Sequence, residues 1–153
     1  MLICAPTSRE YRAMRYALDK AQSLKHSYDL VEVGIGKALS SSGVARALTL
    51  ATEKYDTLAV VGFAASALGR KQGDIVMPSQ AIHHDAIIPD GFCPEIIDPR
   101  KLLGTDPERV FTGDSFVNAD IIREVKSRFG VDCGLFDMEI AAICQVAELY
   151  DNI

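Results

Sequence analysis

The chain has no apolar run that approaches the roughly 20 residues of a membrane-spanning helix. Its start, MLICAPTSRE, is apolar only up to Pro6, too short a stretch for a signal peptide. These absences give the expectation of a cytoplasmic protein with no membrane partner. A basic excess is also lacking: 16 Lys and Arg stand against 21 Asp and Glu, a net charge of −5. Binding to a phosphate backbone needs a basic face, so no nucleic-acid partner is expected. Cys4, Cys93, Cys133 and Cys144 form no CxxC and no Cys/His ligand spacing, which reads as free thiols in a reducing compartment. There is no internal repeat, no low-complexity segment and no linker. What remains is 48% hydrophobic and 24% charged, the balance of a soluble globular protein. Its 153 residues suffice for one domain with a substantial core.

Apolar periodicity gives alternating elements. Leu2 to Ala5 is a short strand ended by Pro6. Ser8 can cap a helix from about Arg9 to about Leu24. Asp29 to Val33 reads as a second strand, closed by the glycines of GIGK, and a second helix follows from about Ala38 to about Lys54. TLAVVGFAA reads as a strand buried on both faces. GDIVMPSQAIHHDAII reads as two short strands around Pro78. The segment through Pro89, Pro94 and Pro99 to Pro107 is a long loop. A short strand near Val110, a helix from about Asn118 to Phe129, a strand from Cys133 to Phe136 and a last helix from about Glu139 complete the pattern. Strand–helix alternation predicts an α/β fold, with the strands near Leu2, Val31, Val60 and Leu135 in one sheet and helices on both faces. Ligands of such sheets bind beyond the carboxyl ends of strands. That singles out APTSRE, GIGK, GFAAS, TGDSF and DMEIA.

GIGKAL is not a dinucleotide fingerprint, because Leu39 stands where the third glycine belongs. It is not a P-loop either, since Ala38 follows Lys37. A tight strand-to-helix turn and a close approach of backbone to ligand both stay open. His83 and His84 point to opposite faces of a strand and cannot easily share an ion, so no metal is expected. A histidine paired with a carboxylate, in a loop or at an interface, is the simpler reading. In DMEIAAI, Asp137 can be a helix N-cap with Glu139 beside the helix's positive end. The functional reading has Glu139 accept hydrogen bonds from two adjacent hydroxyls. Glu10 is likewise either a first-turn acid or a site residue.

Four segments, in order along nearly the whole chain, carry a resemblance: VEVGIGKALSSSGVARAL, VVGFAASALGRKQGDIVMPSQAIHHDA, FTGDSFVN and FDMEIAAICQVA. Together they resemble the nucleoside phosphorylase / 5'-methylthioadenosine–S-adenosylhomocysteine nucleosidase superfamily. The resemblance implies a three-layer α/β/α fold with a central mixed, mostly parallel sheet. It implies cleavage of an N-ribosidic bond through an oxocarbenium-like transition state, by water or by phosphate. By position, Glu139 would bind ribose hydroxyls and stabilise the developing cation. Met138 would pack on the sugar beside Asp137, and Phe116 and Val117 would hold the base. Phe63 would line the substrate site. Glu10 would position the attacking water as general base, although APTSRE spaces the acid one residue differently from the family's segment. The implied ligand is a purine nucleoside of the adenosine type, with no cofactor. The implied assembly is a homodimer or higher homo-oligomer, in which the apolar loop Ile87 to Pro99 lies against a partner subunit or over the ligand.

Three departures qualify that reading. Val60, Val61 and Phe63 stand where phosphorylases grip phosphate, and an anion facing apolar side chains is costly, so hydrolysis is favoured. Ala65 and Ser66 replace loop glycines and narrow the site. The family's aspartate that protonates the leaving base follows the next strand, whereas the sequence ends at Ile153. The domain, 1–153, is therefore expected to lack its C-terminal strand and helix and, with them, the general acid. His84 and Asp137 are substitutes with no geometric preference between them. An N-ribosyl hydrolase, a phosphorylase and a non-catalytic nucleoside-binding protein stay open.

Overall fold

The structure, a computed structural model, describes residues 1–21, 27–67, 69–87, 100–131 and 134–150. Two compact units emerge, Met1–Phe63 with Ala142–Ile153, and Ala64–Ala141. Among the described residues no helix is long and apolar enough to cross a membrane.

In the first unit β1 (Leu2–Ala5), β2 (Asp29–Glu32) and β3 (Leu58–Val60) form a parallel sheet in the order β2-β1-β3. The central strand, LICA, is buried along its whole length. Successive side chains of a strand point to opposite faces. Leu2 and Cys4 pack with Val33, with Val44 and Leu48 of α2 (Gly36–Leu50), and with Ile143 of α4 (Ile140–Ala147). Ile3 and Ala5 point the other way, and α1 (Ser8–Lys20) packs against β1 and β2. The GIGK segment is a tight turn: Gly34 and Gly36 have φ of 97° and 80°, a region that L side chains rarely adopt. Helix and strand then approach closely, because a Cβ on Gly43 would lie 2.3 Å from the Val33 carbonyl oxygen.

The second unit holds a mixed sheet in the order β4-β8-β7-β5-β6. Its strands are β4 (Ala65–Ser66), β5 (Pro78–His83), β6 (Arg100–Lys101), β7 (Asp106–Thr112) and β8 (Leu135–Asp137). The inner strands β5, β7 and β8 are parallel, and the two short outer strands are antiparallel. Alternation sorts its residues into two cores. Ala81, Val110 and Leu135 meet Ala141 and Ile140 of α4 on one face. On the other, Ile82, Phe111 and Phe136 meet Val125, Ile121, Ile122 and Phe129 of α3 (Ala119–Phe129). Asn118 caps α3 through the N–H groups of Asp120 and Ile121, and Gly130 closes it in the left-handed conformation.

The α/β class stands, and several expected details change. The Leu135 strand pairs with β7 and β4, not with the sheet of Leu2, Val31 and Val60. Thr7, not Ser8, is the N-cap of α1, because Thr7 holds the extended backbone of a cap and its side chain accepts from Glu10 N–H. α1 ends at Lys20 and α2 at Leu50. In TLAVVGFAA the expected strand covers only Leu58–Val60 and is half-buried, with β1 as its sole partner among the described residues, and Ala65 already belongs to β4. One strand starts at Pro78 where two were expected. Before it the chain turns at Gly73, with φ of 98°, and Met77 N–H donates to the Asp106 side chain. Most of the apolar loop, from Ile88 to Pro99, lies outside the described residues, as do Cys93 and Cys133, while Ile87 is exposed.

Candidate active site

In the first unit the chain leaves β1 at Pro6 and enters α1 through Thr7-Ser8-Arg9-Glu10. This is a capping box. The Thr7 hydroxyl accepts from Glu10 N–H at 3.2 Å, and the Glu10 carboxylate accepts from Thr7 N–H at 2.8 Å. The same Oε2 also accepts from the Thr7 hydroxyl at 2.6 Å. Its other oxygen, Oε1, accepts from Phe63 N–H at 2.7 Å. A carboxylate that is only 8% exposed is thereby satisfied by three donors. Phe63, which follows β3, leaves its ring 71% exposed, with the Arg9 guanidinium 5.8 Å from the ring centroid. The structure thus brings Glu10 and Phe63 together, through the Phe63 backbone.

In the second unit the parallel strands β5, β7 and β8 end at one edge. Three of the motifs meet there. His84 N–H donates to the Thr112 carbonyl at 3.0 Å, and Gly113 N–H donates to the Asp137 carbonyl at 3.1 Å. Asp85 accepts from Asp114 N–H at 2.9 Å. HHD, TGDSF and DMEIA are therefore joined by backbone hydrogen bonds. His84 lies edge-on to Phe136, with ring centroids 6.0 Å apart. A Cβ on Gly113 would come within 2.2 Å of His84 Nε2, so any larger residue would have to displace that ring.

The turn into α4 is organised by Asp137. Its Oδ2 accepts from Ile140 N–H at 2.6 Å and from Glu139 N–H at 3.1 Å, an N-cap arrangement. Its Oδ1 accepts from the Thr112 hydroxyl at 2.5 Å, and the Thr112 oxygen accepts in turn from Ala141 N–H at 3.0 Å. Burial raises the Asp137 pKa above its ordinary value. The bonds from Thr112, Ile140 and Glu139 and the charge of His84 oppose that shift. Glu139 is buried and accepts from Met138 N–H at 3.2 Å. Met138 is half-buried. Phe116 is 87% exposed, and the Val117 side chain packs into the core with Phe111 and Phe136.

Two residues of these clusters are additions to the sequence reading. Thr7 had a signal, the Thr-x-x-Glu spacing of a capping box. Thr112 had only its place at the head of TGDSF, and nothing there stated that its hydroxyl would sit between Asp137 and Ala141. His83 is buried, and among the described residues no set of three His, Cys, Asp or Glu side chains converges as a metal site.

The fold recurs in solved structures. A Streptococcus pneumoniae MTA/SAH nucleosidase in complex with 8-aminoadenine is 27% identical, with 97% of this chain and 79% of that chain covered and a TM-score of 0.75. A Neisseria meningitidis 5'-methylthioadenosine/S-adenosylhomocysteine nucleosidase in complex with methylthio-immucillin-A aligns over the same shares, at 18% identity and a TM-score of 0.77. The Arabidopsis thaliana 5'-methylthioadenosine nucleosidase aligns over 97% and 75%, at 18% identity and 0.77. The fold is that of the nucleoside phosphorylase / MTA–SAH nucleosidase superfamily. No family model and no curated protein matches the sequence. Within the superfamily fold, the segments DMEIA and TGDSF hold the strand-end positions just described.

Proposed function

We propose that the protein hydrolyses the N-ribosidic bond of a purine nucleoside of the adenosine type. The observation that carries this reading is the likeness to an MTA/SAH nucleosidase over 97% of the chain at 27% identity. The proposed roles follow position by position. Glu139 binds the ribose hydroxyls and stabilises the positive charge that develops on the sugar. Met138 packs on the sugar, and Asp137, its carboxylate engaged by three donors, fixes the turn that presents both. Phe116 has a ring exposed enough to stack on a base, and Val117 contributes backbone. Glu10 orients and deprotonates the attacking water. The ligand is a small-molecule nucleoside, and the protein acts as a homo-oligomer.

Water is preferred to phosphate for a local reason. The Phe63 N–H, a donor that an anion could use, is already given to the Glu10 carboxylate. A phosphate brought there would meet a negative charge and the apolar side chains of Val60 and Phe63. The test is base release from 5'-methylthioadenosine and from adenosine, with and without phosphate. Release of adenine and free sugar at a phosphate-independent rate is the expected result. A rate that requires phosphate would make the protein a phosphorylase. Binding without release would make it a nucleoside-binding protein.

A further inference from the structure

We propose that Thr7 is a positioning residue which leaves Glu10 a single open acceptor position, on Oε1, and that Gly62 keeps that position free for one water molecule. The inference rests on the hydrolytic reading and specifies where its nucleophile binds. An ionised carboxylate has about four acceptor positions. Thr7 fills two on Oε2, by its backbone N–H at 2.8 Å and its hydroxyl at 2.6 Å. Phe63 N–H fills one on Oε1, at 2.7 Å. Among the described residues none fills the last, on the oxygen that faces Gly62.

The space beside that oxygen is set by a missing side chain. A Cβ on Gly62 would lie 3.0 Å from Oε1 and 3.5 Å from Cδ of Pro6. The distance to Oε1 is that of a hydrogen-bonded water. Gly62 is not among the glycines with positive φ, so its backbone makes no demand for glycine. An alanine there would fill the space without backbone strain. Thr7 acts on the other oxygen. Its two donors, with Phe63 N–H opposite, hold the carboxylate at both ends, so the open position has one direction. A base that can rotate holds its water in line with the reacting carbon only part of the time, and small misplacements of a reacting group are costly.

The experiment combines steady-state base release with crystallography of the full chain. Thr7→Val removes the hydroxyl and keeps the shape and the backbone N–H. It should lower kcat about tenfold with KM unchanged, and Thr7→Ser should restore the rate. Gly62→Ala should lower kcat about a hundredfold, again without raising KM. A crystal structure of the unmodified protein should show a water within hydrogen-bond distance of Oε1, absent in Gly62→Ala with Glu10 unmoved. Thr7→Val and Gly62→Ala both at the unmodified rate would overturn the proposal while leaving the hydrolytic reading intact. An unmodified protein that releases no base would sink the hydrolytic reading instead. The water beside Oε1, present or absent, would then decide the proposal, and Thr7→Ser and Gly62→Ala answer it even if Thr7→Val does not fold.

Discussion

Thr112→Val exchanges one fully buried side chain for another of nearly equal volume, so it opens no cavity. It removes a single oxygen that makes two bonds. The hydroxyl no longer donates to Asp137 Oδ1, and Ala141 N–H loses its acceptor. A hydrogen bond to a charged group contributes about 1.5–3 kcal/mol, and a buried N–H left without an acceptor costs about 1–3 kcal/mol. Partial relaxation of the α4 start reduces the sum, so we expect a loss of about 3 kcal/mol in urea unfolding at neutral pH, with an unchanged slope. Thr112→Ser keeps both bonds and should lose less than half as much. The direction with pH follows from Asp137. The Thr112 bond lowers its pKa, so removing that bond raises the pKa further. The unmodified protein then holds its advantage where Asp137 is ionised and loses part of it as the pH falls and the carboxyl is protonated. A loss below about 0.5 kcal/mol, the size typical of surface substitutions, would refute the view that this oxygen ties β7 to the turn.

Asp137→Asn tests the burial effect: the raised pKa means that the folded state prefers the protonated acid, so the stability of the unmodified protein relative to the variant should be greatest below the ordinary value of 3.8 and decline as the pH rises through the folded value; a difference flat with pH would contradict it. Gly43→Ala drives a Cβ into the Val33 carbonyl and should cost about 1–3 kcal/mol in thermal or urea unfolding, while an unchanged midpoint would show that α2 can shift away from the strand end. Glu139→Ala should weaken binding of ribosides more than of the free base in calorimetry, since only the sugar loses partners; equal weakening would remove Glu139 from the sugar. Cys4, buried in the central strand with its pKa pushed up to about 12 by burial, should stay unmodified by a thiol reagent until the protein unfolds.

Patterns that depend on near neighbours in the chain were legible in the sequence. LICA reads as a short strand because four apolar residues run up to a proline, and β1 spans those four residues. GIGK reads as a turn because glycine tolerates the positive φ that Gly34 and Gly36 adopt. Asp137 reads as a cap because a cap bonds to N–H groups two and three residues on. Pairing depends on distant parts of the chain and could not be read this way. Nothing in VDCGLFDME states that its strand lies between β7 and β4, since alternation fixes which residues face a core but not which strand is the neighbour. TLAVVGFAA looks buried from its composition, yet its strand Leu58–Val60 is half-buried with one partner strand among the described residues, because burial depends on what the rest of the chain lays over it. The same holds for the two carboxylates. That Glu10 and Asp137 begin helices was readable from their own segments. That Glu10 also holds the backbone of Phe63, 53 residues on, and that Asp137 takes the hydroxyl of Thr112, 25 residues earlier, was decided only when the fold brought those donors within hydrogen-bond reach.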